Sequence, residues 1–146
     1  MNETPEFLVP GKKMIIGSYT FSEQEIVDFC RTFDPERLAA EPIQATHWHV
    51  TSIWMRLQRS HVARQIEAIK KAGTTIPQFG PSPGMTEMIW PEDVLPGDEV
   101  TYTNEILSAR TSKSRPEWNV LTQKSIGENQ RNELVMSFIS SVFIKW

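Results

Sequence analysis

At 146 residues, with 15 basic and 18 acidic side chains giving a formal charge of −3, the chain is long enough to bury one core and carries no block of either sign. That balance excludes the basic footprint of a nucleic-acid binder. A single cysteine, Cys30, excludes an intrachain disulfide framework and leaves too few soft ligands for a structural zinc site, and no segment approaches the ~20 apolar residues of a membrane-spanning helix.

These bounds lead us to expect one domain over residues 1–146, at work in a reducing cytoplasm with neither nucleic acid nor membrane as partner. The start, Met1-Asn2-Glu3-Thr4-Pro5-Glu6, has no basic flank followed by an apolar run, as in an untargeted protein. Pro10-Gly11 breaks this short start, which reads as frayed, and Lys13 to Phe21 reads as a first strand. Ser22 with Glu25 three residues on is a capping box, and Phe21 and Ile26 stand where a hydrophobic staple closes over it. Glu23 to Thr32 is therefore predicted helical, with Ile26, Phe29 and Cys30 on its buried face. Asp34-Pro35 reads as a second helix start, the carboxylate accepting backbone N–H bonds and the proline taking the first helical position.

From about Thr46 to Ala72 the pattern is helical and closes at Gly73. Its first half is apolar nearly all round, with Trp48, Val50, Ile53, Trp54, Met55 and Leu57, and reads as enclosed by other structure. Its second half, with Arg59, Arg64, Glu67, Lys70 and Lys71, reads as solvated, and His61 with it. Thr74 to Pro83 is proline-rich and reads as a loop before a strand, Met85 to Trp90. After the Pro96-Gly97-Asp98 turn come three long strand candidates: Glu99 to Arg110, Asn119 to Glu128 and Glu133 to Lys145. In the last, Leu134, Met136, Phe138, Val142 and Ile144 share a face. Helices first and then a run of strands argue for an α+β fold, an antiparallel sheet with helices on one side. Strands this long, at ~3.3 Å per residue, can curl around the apolar half of the Thr46 helix.

Several strings, in this order, resemble the MaoC-like dehydratases, a hot-dog-fold group that includes the R-specific enoyl-CoA hydratases. Phe33-Asp34-Pro35 is similar to the family's Asp-Pro motif, Ala45-Thr46-His47-Trp48-His49 to its Ala-Ser-Gly-Trp-His string, and Met55-Arg56-Leu57 to the Met-Arg-Leu that follows. Ser82-Pro83-Gly84, Val94-Leu95-Pro96-Gly97-Asp98 and Ser112-Lys113-Ser114-Arg115-Pro116 resemble further family strings at similar spacing. The resemblance implies a hot-dog fold, a long antiparallel sheet wrapped around a central helix, and a homodimer or an assembly of dimers. It also implies an acyl-CoA or related thioester as partner, hydrated or dehydrated across its double bond. No metal or redox cofactor is implied; coenzyme A enters only as part of the substrate.

The family places an Asp and a His around one water, the His five residues after the Asp. Here Asp34 matches, but the His position holds Ala39, and the stretch from Glu41 to Ala45 is shorter than usual. A positioned acid–base group contributes ~10²–10⁴ in rate, so a lone aspartate implies a slow hydratase or none. The rival reading is a catalytically inactive acyl-thioester-binding or assembly protein on the same scaffold. A thioesterase shares the fold, though nothing in the sequence prefers it.

The candidate catalytic residues are thus Asp34 and, as a relocated partner, His47. Asp34 also has the plainer reading of a helix cap. His47 either supplies the missing acid–base group or fills space left by the shortened segment. Thr46 is positioned to cap its helix so that the first N–H groups, aided by the helix dipole, polarise a thioester carbonyl. Trp48, His49 and Gly84 join Thr46 as pocket candidates, His49 reading equally as a hydrogen-bonded core histidine. Lys113 and Arg115 either meet the phosphates of coenzyme A or form a solvated basic turn. Of the five tryptophans, Trp48 and Trp54 are placed in the core, and Trp118 and Trp146 at a surface or subunit contact.

Overall fold

A computed structural model describes residues 4–146, so the first three residues of the start lie outside the described residues. The rest of that start is not frayed. Glu6–Leu8 forms a 3-10 turn whose Phe7 and Leu8 are buried with Ile106, Leu121 and Ile144. Burying two such side chains, at roughly 1.5–3 kcal/mol each, offsets the ordering of a few residues.

Strand β1 (Lys13–Thr20) leads into α1 (Glu23–Phe33). The capping box holds: Ser22 Oγ accepts the Glu25 N–H at 3.2 Å, and Phe21 and Ile26 are fully buried beside it. At the other end of α1 the expected cap does not form. Pro35–Ala39 is a single 3-10 turn, and the Asp34 side chain accepts no capping N–H. Asp34 has φ −153° and ψ 68°, Pro35 has no N–H to give, and the carboxylate instead meets Arg37 Nε at 3.3 Å. An aspartate relieved of capping has its carboxylate available for other work.

Helix α2 (His47–Ala72) starts and stops as its end residues dictate. Thr46 Oγ1 accepts the His49 N–H at 3.1 Å, and Gly73, at φ +71°, donates its N–H to the Ile69 and Lys70 carbonyls. The side facing the sheet runs through Val50, Ile53, Trp54, Leu57 and His61, the spacing of one helical stripe. Two expectations are corrected here. Trp48 (62% exposed) and Met55 (43%) are not core, because the first half of the helix is covered on one side only. His61 is buried, not solvated, because it continues that stripe into the charged half.

Strands β2 (Gln78–Phe79), β3 (Gly84–Ile89), β4 (Glu99–Thr111), β5 (Asn119–Glu128) and β6 (Leu134–Lys145) complete one antiparallel sheet. Its order is β1-β4-β5-β6-β2, with β3 also paired to β6. The pair β2 interrupts the stretch read as loop, Phe79 pairing with Ile144. The sheet curls over α2: Tyr102 OH donates to the Val50 carbonyl at 2.8 Å, and Trp54 meets Phe138 edge-on at 4.7 Å. At Gly17 the helix comes so close that an added Cβ would stand 3.0 Å from Leu57 Cδ2, and its φ of +150° also calls for glycine.

The Pro96-Gly97-Asp98 turn is locked by Asp98, which is 4% exposed. Asp98 accepts the Leu95 N–H at 3.0 Å, a Gln130 amide at 2.8 Å and both terminal nitrogens of Arg131 at 3.1 and 3.2 Å. Burial pushes its pKa up, but these hydrogen bonds and the Arg131 charge outweigh it and hold the carboxyl below its ordinary 3.8. A depressed folded-state pKa stabilises the fold above the unfolded value and loses that stabilisation as pH falls through the folded one. Asp98→Asn is expected to cost about 2 kcal/mol at neutral pH and to flatten the decline in stability below about pH 4, as read by urea unfolding.

Candidate active site

The end of α1, the start of α2 and strand β3 meet around a cavity of about 720 Å³. Its walls are largely apolar, with Phe29 and Phe33 from α1, Trp48, Trp54 and Met55 from α2, and Met85 from β3. Four polar side chains reach it: Asp34, Thr46, Thr51 and Ser52. Three of these are engaged with backbone. Thr46 caps its helix, Thr51 Oγ1 donates to the His47 carbonyl at 2.8 Å, and Ser52 Oγ donates to the His49 carbonyl at 2.9 Å. Among the described residues, Asp34 is the one carboxylate at the cavity. Its side chain is 44% exposed and its Oδ2 pairs with Arg37, itself 35% exposed. An ion pair this open is worth ~0–1 kcal/mol and leaves carboxylate lone pairs for a ligand.

The helix α2 N-terminus faces the same space through Thr46 and Trp48. The first N–H groups of a helix have no partner within it, and the cap satisfies only that of His49. The N–H groups of His47 and Trp48 have no acceptor among the described residues, and the helix dipole adds partial positive charge there.

The other sequence candidates lie elsewhere. His47 does not line the cavity; its ring stacks on Trp90 at 4.6 Å and 7°. His49 stands behind the wall, stacked on Phe29 at 4.5 Å and edge-on to Phe21 at 5.0 Å. It is core, but its buried Nδ1 has no hydrogen-bond partner, unlike the bonded histidine expected. Gly84 opens β3 at φ +134°, one residue before Met85, with nothing within 4 Å of a built Cβ. Lys113 and Arg115 are exposed in the β4–β5 turn, where the Arg115 guanidinium lies 5.7 Å from the Phe143 ring. Ala39 ends the 3-10 turn, exposed.

In sequence, the chain matches no protein-family model and no curated protein. In shape, it is similar to the MaoC-like dehydratase from Rhodospirillum rubrum, with a TM-score of 0.73, 25% identity and coverage of 96% of this chain and 94% of that one. This is the hot-dog fold of the MaoC-like dehydratases. An (R)-hydratase from A. caviae involved in PHA biosynthesis superposes with a TM-score of 0.59 at 17% identity, covering 96% of this chain and 98% of that one. A variant of a fluoroacetyl-CoA-specific thioesterase reaches 0.58 at 12% identity, covering 93% and 94%.

On this MaoC-like fold the cavity has neighbours that sequence reading missed. Arg37 follows Asp34 at the (i, i+3) spacing that brings side chains together, the one local signal for it. Thr51, Ser52 and Met85 carried no signal. Among the described residues no three His, Cys, Asp or Glu side chains gather as a metal set would require.

All three histidines are held below their ordinary pKa of 6.5. Burial is the main cause in each; Arg37 adds to it at His47 and Arg64 at His61, while Asp93 opposes it at His47 and Glu25 at His49. The unfolded chain therefore takes up protons near pH 6.5 that the folded chain resists, and stability rises with pH across that range. Unfolding midpoints are expected to drop between about pH 7 and about pH 5, with imidazole proton resonances titrating below 6.5.

Proposed function

We propose that this protein binds an acyl-CoA or related thioester at the Asp34 cavity and adds water to, or removes it from, an enoyl-CoA or 3-hydroxyacyl-CoA type substrate. The observation that carries this reading is the uncapped Asp34 carboxylate at an apolar cavity that also receives the start of α2. In hydration, Asp34 takes a proton from water as its oxygen bonds to the β-carbon. The electron pair of the double bond moves toward the thioester oxygen, where the free N–H groups at the start of α2 stabilise the charge. Asp34 then returns the proton to the α-carbon, so one carboxylate serves both transfers and the charges balance. Sharing this work would require the His47 ring to leave Trp90, so the reading gives both proton transfers to Asp34.

The thioester is held, in this reading, by Thr46, Trp48 and the pocket edge at Gly84. Lys113 and Arg115 meet the coenzyme A phosphates, and His49 supports the wall through Phe29. No cofactor is needed beyond the coenzyme A of the substrate. The protein acts in the cytoplasm as a homodimer or an assembly of dimers. The open outer edge of β3 and the exposed rim side chains Phe33, Trp48 and Ile89 support a covering second copy.

Ala39 favours a second reading, a catalytically inactive thioester-binding or assembly protein. One experiment separates them. Purified protein is given a short enoyl-CoA and, in parallel, the matching saturated acyl-CoA, with loss of the double bond, release of thiol and binding each followed. Hydration supports the proposal. Thiol release alone makes the protein a thioesterase; binding without either makes it a binder; no binding ends the thioester reading.

A further inference from the structure

Alongside the stripe of α2 that packs on the sheet, a second cavity of about 490 Å³ opens between helix and sheet. Trp54, Met55 and Met85 line both this cavity and the Asp34 cavity, so the two adjoin across these side chains. The helix side carries Gln58, Val62 and Ile66, the sheet side Ile106, Leu121 and Gln123, and Leu8 contributes at the wall. Such a groove suits a chain of carbon atoms. Its lining is not apolar throughout.

Gln58 belongs to a hydrogen-bonded chain whose direction is set by an obligate donor. Trp54 Nε1 donates to Asn104 Oδ1 at 3.1 Å, and Ser125 Oγ donates to the same oxygen at 2.8 Å. An indole N–H cannot accept, so the oxygen of Asn104 must face Trp54 and its amide nitrogen must face Gln58. Asn104 Nδ2 accordingly donates to Gln58 Oε1. The Gln58 NH₂ is then the free end of the chain, a donor with no partner among the described residues, on a residue that lines the groove. Opposite the helix, Gln123 and its cross-strand neighbour Ser140 line the same groove. Gln123 spends its amide nitrogen on Ser125 Oγ at 3.4 Å.

We propose that the groove receives the tail of the acyl thioester, that this tail carries an oxygen away from the thioester, and that Gln58 Nε2 selects it by donating a hydrogen bond. The proposal rests on the thioester reading above and narrows its substrate class to oxygen-bearing acyl chains. A purely aliphatic tail would leave the donor desolvated and unpaired, which is the basis of the discrimination.

The test measures binding and turnover of coenzyme A thioesters in three sets: short, longer aliphatic, and longer with a keto or hydroxyl oxygen in the distal half. Wild-type protein is expected to favour the oxygenated tail over its aliphatic match by roughly two- to tenfold, the worth of one hydrogen bond. Gln58→Met keeps the volume and is expected to erase that preference. Because it also deprives Asn104 of a partner, Ala63→Phe, on the same helix wall, serves as a second variant. It is expected to weaken both longer sets and spare the short one. Equal affinity for the two longer tails in the wild type overturns the role of Gln58. Undiminished long-tail binding in Ala63→Phe overturns the groove. Failure of every thioester to bind overturns the thioester reading itself, and with it this inference.

Discussion

Asp34→Asn is expected to slow hydration of a short enoyl thioester by roughly 10²- to 10⁴-fold with little change in binding. The amide keeps the size of the carboxylate but cannot take the proton of water. Nothing nearby substitutes for it, since the Thr51 and Ser52 hydroxyls donate to helix carbonyls and the His47 ring lies on Trp90. The helix N–H groups survive the change, so thioester binding should persist. Stability should also persist. Asp34 caps no helix, and its exposed pair with Arg37 is worth ~0–1 kcal/mol. Loss of rate with an unchanged melting point marks a group that acts on substrate. Full turnover in the variant would remove Asp34 from the chemistry.

Asn104→Ala is expected to cost about 3–5 kcal/mol, which for a domain of this size threatens folding itself. Asn104 is 1% exposed and joins α2 to β4 and β5. Its removal strands the Trp54 indole N–H and the Ser125 hydroxyl, each orphaned donor costing roughly 1–3 kcal/mol, and leaves a void where an amide stood. Asn104→Asp keeps an acceptor for both donors but loses the donor to Gln58. It should be the milder at moderately low pH, where the carboxyl takes a proton and can donate again. Urea unfolding followed by tryptophan fluorescence reads both. A cost below about 1 kcal/mol for Asn104→Ala would mean that the network adds nothing to the fold.

Where a few neighbouring residues decide the outcome, the sequence was sufficient. Ser22, Glu25, Thr46 and Gly73 marked the helix ends because capping depends on backbone groups three or four residues away. The strand order of lengths followed from turn residues and alternation, and the string resemblances from Asp34 to Arg115 agreed with the architecture later found. The capping rule misled at Asp34, where a residue type common at caps met a proline turn: Pro35 has no N–H, and that of Arg37 goes to the Asp34 carbonyl instead of its side chain.

Which side of α2 meets the sheet, a cavity or water was decided only by tertiary packing. Trp48 is as apolar as Trp54 and both line the Asp34 cavity, yet Trp48 is largely exposed and Trp54 is buried against Phe138. His61 sits among charges in sequence and in the core in space. A helix presents its side chains all round, and composition alone does not say where the curled sheet will end. The cavity beside Asp34, the stacking of His47 on Trp90 and the groove under Gln58 all arise from contacts between segments far apart in the chain. The sequence determined the parts and their ends; the curvature of the sheet against one long helix determined what lies between them.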